Sequence, residues 1–234
     1  MAHKPLHHIF TAVPASYDLV NRIVTWGLDQ RWRRKAARFC LAAHPARILD
    51  LACGTGDLAL MISRLARCTP ELTGLDYSAP MLEIARKKAG RRGGAPITFI
   101  TADAAALPFS DCHFDCIGTA FAFRNLSYRN PLTGRVLDEV LRVLRPGGQF
   151  VIVESSQPGI KIIRRLFHWY LRFFVANVGR LLSGQKAAYH YLAQSAIHFF
   201  SPEEVTRLLQ DHGFCRVVHY PLFFGAAAVH VAGK

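Results

Sequence analysis

The stretch Leu49-Asp50-Leu51-Ala52-Cys53-Gly54-Thr55-Gly56-Asp57-Leu58-Ala59 decides how the rest of the chain folds. Arg47-Ile48 leads an apolar run into it, and Leu60, Ile62, Leu65 and Ala66 follow at helical spacing. It reads as strand, glycine turn, helix. Glycine has no Cβ, so a ligand can approach the backbone closely at Gly54 and Gly56. The helix behind them opens with unpaired N–H groups. The turn therefore predicts a nucleotide-like cofactor.

Outward from this turn, strand and helix alternate. Strands are expected at 48–51, 72–76, 97–100, 114–119 and 149–153. Helices are expected at 57–66, from Ser78 or Ala79 to the basic Lys87–Gly94 turn, and at 132–144, the last ended by Arg145-Pro146-Gly147-Gly148. Such alternation predicts an α/β, Rossmann-like doubly wound sheet, with ligands at the C-terminal ends of its strands. Residues 6–42 read as helices, with Asp29 as N-cap of the second and its basic side in solvent. Further helices are expected at 187–197 and 201–212, Ser201 capping the latter and Gly213 stopping it. Strands at 214–220 and 223–231 form an antiparallel C-terminal hairpin, completing a mostly parallel seven-stranded sheet.

The expected organisation is one domain over 1–234. It comprises N-terminal helices (1–44), a cofactor-binding core (45–154), a helical substrate or membrane lid (155–200), and a C-terminal helix and hairpin (201–234).

The cofactor class follows from the details. A dinucleotide fingerprint needs a third glycine, but Leu58 and Ala59 follow Gly56, and a P-loop Gly-Lys-Ser/Thr is absent. Acids stand instead at three successive strand ends. Asp50 lies where a ligand ammonium could sit. Asp76 can accept from two ribose hydroxyls. Asp103 can accept from an adenine amine. Three carboxylates repel a pyrophosphate and suit an adenosyl group carrying an amino acid and a sulfonium charge. The expected cofactor is S-adenosylmethionine, held by Asp50, Gly54, Thr55, Gly56, Asp76 and Asp103.

The 234 residues carry a formal net charge of +13 with a pI near 9.9. This points to an anionic partner, nucleic acid or an anionic membrane surface, or to a soluble enzyme that is simply basic. Six scattered cysteines form no CxxC pair. Reduced thiols in a cytosolic protein and no metal site are expected. The N-terminus opens no apolar signal sequence, and no run is long and apolar enough to span a membrane. From Ser155 to Pro202 there is no Asp or Glu. Within a helix expected over 160–182, Lys161, Arg164, Arg165, His168 and Arg172 share a narrow arc and most of the rest is apolar. That pattern suits a helix on a membrane interface, over a lipid-like ligand, or packed as a lid.

Further motifs carry a resemblance. They are Ser16-Tyr17-Asp18 with Asn21, Phe121-Ala122-Phe123-Arg124-Asn125, Tyr189-His190-Tyr191-Leu192 with Ser195, and Phe224-Gly225-Ala226 through His230 and Gly233-Lys234. With the general features above, they resemble the ubiquinone/menaquinone biosynthesis C-methyltransferases, from about Ile9 to Lys234. Ala122 stands for the family's glycine, and Ala120 where some members have a serine near the cofactor; the resemblance implies that Tyr77, Ala104 and Ala120 also border the cofactor.

The resemblance implies methyl transfer to a ring carbon of a prenylated hydroquinone. Demethylmenaquinol is expected, with a ubiquinone-pathway benzoquinol as the alternative. Arg124, Asn125 and Tyr17 would be catalytic, and Phe121, Tyr189 and Tyr191 would line the substrate. His190 and His198 are candidate bases. The expected partners are the quinol and an anionic membrane, with no nucleic acid; a homodimer is compatible. The expected location is cytoplasmic, on the inner face of the membrane. Two rivals differ in class: an RNA or protein methyltransferase, and a non-catalytic membrane-binding module. The first lacks an Asn/Asp-Pro-Pro-Tyr motif and a Pro-Cys nucleophile. The second is at odds with intact glycines and an intact Arg124-Asn125.

Overall fold

The computed structural model describes residues 14–91, 94–175 and 186–234, with the side chains of 14–17, 20 and 186–190 outside the description. Two helices, α1 (Pro14–Val24) and α2 (Leu28–Leu41), come first. They are followed by β1 (Arg47–Leu51), α3 (Asp57–Leu65), β2 (Glu71–Asp76), α4 (Ala79–Gly90) and β3 (Ile97–Thr101). The second half runs through β4 (Phe114–Ala120), α5 (Phe123–Ser127), α6 (Thr133–Val143) and β5 (Leu144–Ser155). The chain closes with α7 (Lys161–Tyr170), α8 (Lys186–Ile197), α9 (Pro202–Asp211), β6 (Arg216–Leu222) and β7 (Ala227–Gly233).

The strands form one sheet in the order β3-β2-β1-β4-β5-β7-β6. All pairings are parallel except those of β7, which runs antiparallel to β5 and β6. The chain winds from β1 to β2 and β3 on one side, then returns to place β4 on the other. A cleft opens at that reversal, outside the C-terminal ends of β1 and β4.

Alternation along each strand feeds two cores. Leu49, Leu51, Ile117 and Phe150 pack with Val136, Leu137 and Val140 of α6 and Val205 and Leu209 of α9. Ile48, Cys116, Val151 and Val153 face Ala36, Ala37 and Cys40 of α2 and Leu58, Ala59 and Ile62 of α3. Helices on both faces explain why the central strands are apolar throughout.

Three expectations need correction. Asp29 is not an N-cap: Gly27 takes that place at φ +72°. Asp29 lies inside α2, buried, and pairs with Arg33 at 2.5 Å. Arg33 is therefore buried too, while Arg31, Arg34 and Arg38 on the same helix are exposed.

Arg145-Pro146-Gly147-Gly148 does not terminate a helix from outside. α6 ends at Val143, and these four residues belong to β5. There the β4–β5 register shifts between Phe114 and Cys116. Asp115 secures the irregularity. Its carboxylate accepts from the N–H groups of Ala46 and Arg47, at 2.5 and 2.8 Å, and pairs with Arg145 at 2.8 Å. The third correction is the helix expected over 160–182. α7 covers only Lys161–Tyr170 and continues as a π-helical turn, Leu171–Val175; 176–185 lie outside the described residues.

The capping of α9 is as expected. Ser201 accepts from Glu204 N–H while Glu204 reaches back to Ser201 N–H, a complete capping box. Lys234 performs the same service at the other end of α6, its Nζ donating to the Leu141 and Leu144 carbonyls at 2.6 Å each.

Gly148 is where the β4–β5 irregularity leaves no room. A Cβ there would sit 2.9 Å from the carbonyl oxygens of Arg145 and Asp115. Backbone atoms cannot rotate away, so Gly148→Ala is expected to cost about 1–3 kcal/mol. Gly159→Ala, whose Cβ meets nothing within 4 Å, is expected to stay within about 0.5 kcal/mol. Urea midpoints of the two variants check this, and equal midpoints contradict it.

Candidate active site

The cleft holds two adjoining cavities of unlike character. The first, of about 510 Å³, is lined by Asp50, Ala52–Thr55, Asp76, Tyr77, Asp103–Ala105, Ala120–Ala122 and Asn125, among others. Its floor is the turn after β1. Gly54 takes φ +54° and Gly56 φ +79°, conformations that admit glycine without strain. Gly54 N–H donates to Asp76 Oδ2 and Ser78 N–H to Asp76 Oδ1, both at 2.8 Å. Asp76 thereby ties the turn after β1 to the turn after β2. Each of its oxygens keeps a second lone pair for a ligand. Burial raises its pKa even against those donors.

Asp50 is more extreme. It is 1% exposed; Oδ2 accepts from Ala59 N–H at 2.8 Å, and Oδ1 is buried with no partner among the described residues. Burial, opposed by the Ala59 N–H and by Arg33, pushes its pKa up to about 8, and Asp76 and Asp57 add to the rise. An orphaned carboxylate oxygen is complementary to an ammonium. With Asp76 and Asp103 in the same wall, the donor set fits S-adenosylmethionine and opposes a pyrophosphate.

The second cavity, of about 680 Å³, is apolar. Trp26, Trp32, Phe121, Ile163, Leu166, Phe167, Tyr170, Leu192 and Phe223 lie in its wall, with Arg124 and Ser155 at its polar end. Its size and lining suit a hydrocarbon ligand.

Phe121 and Arg33 line both cavities. Phe121 is left-handed at φ +60°, an unfavourable conformation for an aromatic residue and one concentrated at functional sites. The Arg33 guanidinium stands over its ring, 4.9 Å from the centroid. Two residues on, α5 presents Arg124 and Asn125. Arg124 Nη1 donates to Ser155 Oγ at 2.7 Å and to Glu154 Oε1 at 3.2 Å, while Arg124 N–H donates to Glu154 Oε2 at 3.0 Å. Glu154 is 1% exposed, so its charge is matched locally by Arg124. Arg124 Nε and Asn125 Oδ1 remain buried without partners among the described residues, one a donor and one an acceptor. Ala122, in place of the family's glycine, takes an ordinary φ of −114°, so nothing in the backbone here demands glycine.

The expected site residues separate as follows. Asp50, Gly54, Thr55, Asp76, Tyr77, Asp103, Ala104, Ala120, Phe121 and Asn125 line the first cavity, and Arg124 the second. Gly56 stands behind the wall, where a Cβ would press on Ala85 at 3.0 Å. The Thr55 hydroxyl donates to Asp18 at 2.7 Å and accepts from Lys88 at 2.9 Å. Lys88 also pairs with Asp18 and Asp57, latching α1 onto the cofactor turn. Tyr191 is half-buried and outside both walls; burial raises its pKa, and Arg124 opposes the rise. The side chains of Tyr17, Tyr189 and His190 lie outside the described residues. His198 is exposed and turned to its own helix, Nδ1 lying 2.9 Å from the Gln194 carbonyl oxygen.

Arg33, Trp32 and Glu154 were not expected in the site. The available signal was Asp29 four residues before Arg33, a helical pair compatible with burial. Glu154 is the last acid before the acid-free block and directly follows an apolar strand.

Comparison with known proteins agrees with this geometry. The model of the ubiE/COQ5 methyltransferase family matches residues 1–234. A demethylmenaquinone methyltransferase of Thermus thermophilus is 41% identical over 227 residues, 97% of this chain and 100% of the relative. A ubiquinone/menaquinone biosynthesis C-methyltransferase UbiE of Pseudomonas putida is 35% identical over 228 residues, 97% of this chain and 88% of the relative. Among solved structures, a SAM-dependent methyltransferase of Thermotoga maritima, a possible histamine N-methyltransferase, has a TM-score of 0.59 at 20% identity, covering 97% of this chain and 98% of its own. That likeness concerns the fold alone. The full-length family match and the 41% identity establish that this chain belongs to the ubiE/COQ5 methyltransferase family.

Proposed function

We infer that the protein methylates a ring carbon of demethylmenaquinol, a reduced prenylated naphthoquinone. The observation that carries this reading is the meeting of two unlike cavities at Phe121 and Arg33. A cationic adenosyl cofactor suits the carboxylate-lined cavity and a prenylated ring suits the apolar one. Their reacting ends then meet beside Arg124 and Asn125. The demethylmenaquinone name borne by the 41% identical relatives supports the naphthoquinol. A benzoquinol of the ubiquinone pathway is the second reading, favoured by the names of relatives at 35%.

When bound, S-adenosylmethionine supplies an electrophilic methyl group on a sulfonium. The protein's part is to make the ring carbon nucleophilic and to aim it. Loss of a quinol hydroxyl proton to water moves electron density to the ortho carbon. That carbon's electron pair forms the new bond to the methyl as the sulfur–methyl bond breaks and the sulfur leaves neutral. The ring hydrogen then departs as a proton to water while the oxygen regains one, restoring the aromatic quinol. A guanidinium is a cation with donors only, so the role of Arg124 is to stabilise the phenolate rather than to take the proton. Glu154 and Ser155 hold that guanidinium in place through Nη1, and Nε has no partner among the described residues. Asn125 Oδ1 accepts from the quinol hydroxyl. The resemblance gives Tyr17 a hydrogen bond to the ring oxygens and Tyr189 a place in the substrate pocket; Tyr191, outside both cavity walls, is given no contact with the ring.

The segment 155–200 acts as a lid that also holds the protein on the cytoplasmic, anionic face of a membrane. Among the described residues no helix is long and apolar enough to cross a bilayer. Lys161, Arg164, Arg165 and Arg172 are exposed, and each basic residue near an anionic surface contributes about 1 kcal/mol.

Asn125→Ala removes an oxygen that bonds nothing among the described residues, so its stability is expected to stay within about 0.5 kcal/mol. Its kcat on demethylmenaquinol is expected to fall about 10²-fold, as is that of Arg124→Lys, which keeps a cation beside Glu154. Steady-state kinetics with labelled S-adenosylmethionine measures both; wild-type kcat in either variant removes that residue from the mechanism.

Asp50 links binding to pH. The folded chain without ligand keeps its proton up to about pH 8, whereas the unfolded chain releases it near pH 4. Its contribution to stability is full below pH 4, falls as pH rises toward 8 and is flat above. Asp50→Asn keeps an acceptor for Ala59 N–H and loses the titration. Without cofactor, its thermal midpoint is expected to match wild type at pH 5 more nearly than at pH 8, where the variant melts higher. Its cofactor affinity is expected to drop about 10–100-fold. Melts from pH 5 to 9 with parallel curves contradict the assignment.

A further inference from the structure

The apolar cavity has a definable rim. Trp26, Leu166, Phe223 and Phe224 line it and are also 76%, 64%, 57% and 74% exposed. Two of these rings form a strained tip. Phe223 and Phe224 hold φ of +42° and +55°, and Gly225 follows at +89°. Left-handed phenylalanines persist only where the surroundings impose them. Here Ala226 N–H donates to the Phe223 carbonyl at 3.0 Å, and Ser156 N–H to the Ala226 carbonyl at 2.9 Å. Gly225 packs so closely on Pro158 that a Cβ would lie 3.1 Å from its Cα. The tip is thus tied to the segment that leads into α7, and its two rings are held outward.

Inward from the tip, rings follow one another. Phe224 lies 5.6 Å from Phe223, Phe223 lies 6.5 Å from Trp32, and Trp32 lies 6.1 Å from Phe121, centroid to centroid. The row runs from solvent to the junction of the two cavities.

α7 borders the same rim and sorts into three sectors. Lys161, Arg164 and Arg165 form an exposed basic sector, and Ile162, Leu166 and Trp169 an exposed apolar one. Ile163, Phe167 and Tyr170 turn toward the cavity. Cations beside exposed Ile, Leu and Trp are the pattern of a helix lying in a membrane interface. The acid-free stretch from Ser155 to Pro202 selects a negatively charged surface.

We propose that the Phe223-Phe224 tip inserts into the hydrocarbon edge of an anionic bilayer and forms the portal for a lipid-borne quinol. The prenylated substrate slides along the aromatic row to Phe121 without crossing water. This rests on the quinol reading above, which the following measurements test separately.

Asparagine tolerates left-handed φ, so Phe223→Asn with Phe224→Asn removes the apolar tip while easing its strain. Phe224→Trp keeps an apolar ring. In co-sedimentation with phosphatidylglycerol/phosphatidylcholine vesicles, wild type and Phe224→Trp are expected to retain binding in high salt. The double variant is expected to lose it about 10²-fold. In turnover, the double variant is expected to lose about ten-fold more kcat/KM on a long-chain quinol in vesicles than on a short-chain quinol in solution.

Equal vesicle binding by all three proteins in high salt overturns the insertion. So do equal losses on the two substrates. Self-association of the wild type that the double variant abolishes assigns the tip to a second copy of the chain and also overturns it. A wild type that methylates neither quinol refutes the quinol reading, and with it the portal; vesicle binding still decides the insertion.

Discussion

A carboxylate buried at the end of the central strand governs this protein. Asp50 accepts from Ala59 N–H through one oxygen, and the other has no partner among the described residues. Burying it raises its pKa to about 8, so the chain carries an ionisable group that only a cationic ligand can use fully. Asp76 is organised around the same requirement, bridging two loops while keeping acceptor capacity for a ligand. The parallel sheet delivers these acids to one edge because strand ends converge where the winding reverses. The fold and the electrostatics of the cofactor site are therefore one fact.

What lies beyond Phe121 obeys opposite physics. The second cavity is mostly apolar, and Arg124 and Ser155 are among its polar lining, with Arg124 paired to Glu154 behind it. A buried ion pair is weak support for stability, but it fixes a guanidinium at one address. Arg124 Nε, a donor, and Asn125 Oδ1, an acceptor, are buried without partners among the described residues. Phe121, left-handed at φ +60°, lines both environments.

Much of this was legible from residue order. The glycine turn and the acids at Asp50, Asp76 and Asp103 named the sheet and the cofactor class, because strand ends and helix starts are local properties. Arg33 was misread as solvated, since a single helix does not reveal which neighbour covers it. The Arg145–Gly148 stretch was misread because its constraint comes from the Asp115 carbonyl on another strand. Over the described residues, the helix expected at 160–182 passes from α to π geometry at Leu171, a change that periodicity alone does not mark. Glu154 escaped notice because a buried acid is identified by its partner, and Arg124 is 30 residues away.

The most direct test of the central claim is where the methyl group goes. Wild-type protein with isotopically labelled S-adenosylmethionine is offered demethylmenaquinol and a ubiquinone-pathway benzoquinol in competition, and the products are read by NMR. The account predicts a carbon-bound methyl on the naphthoquinol ring as the main product. Methyl on oxygen, or cofactor binding with no transfer to either quinol, contradicts it.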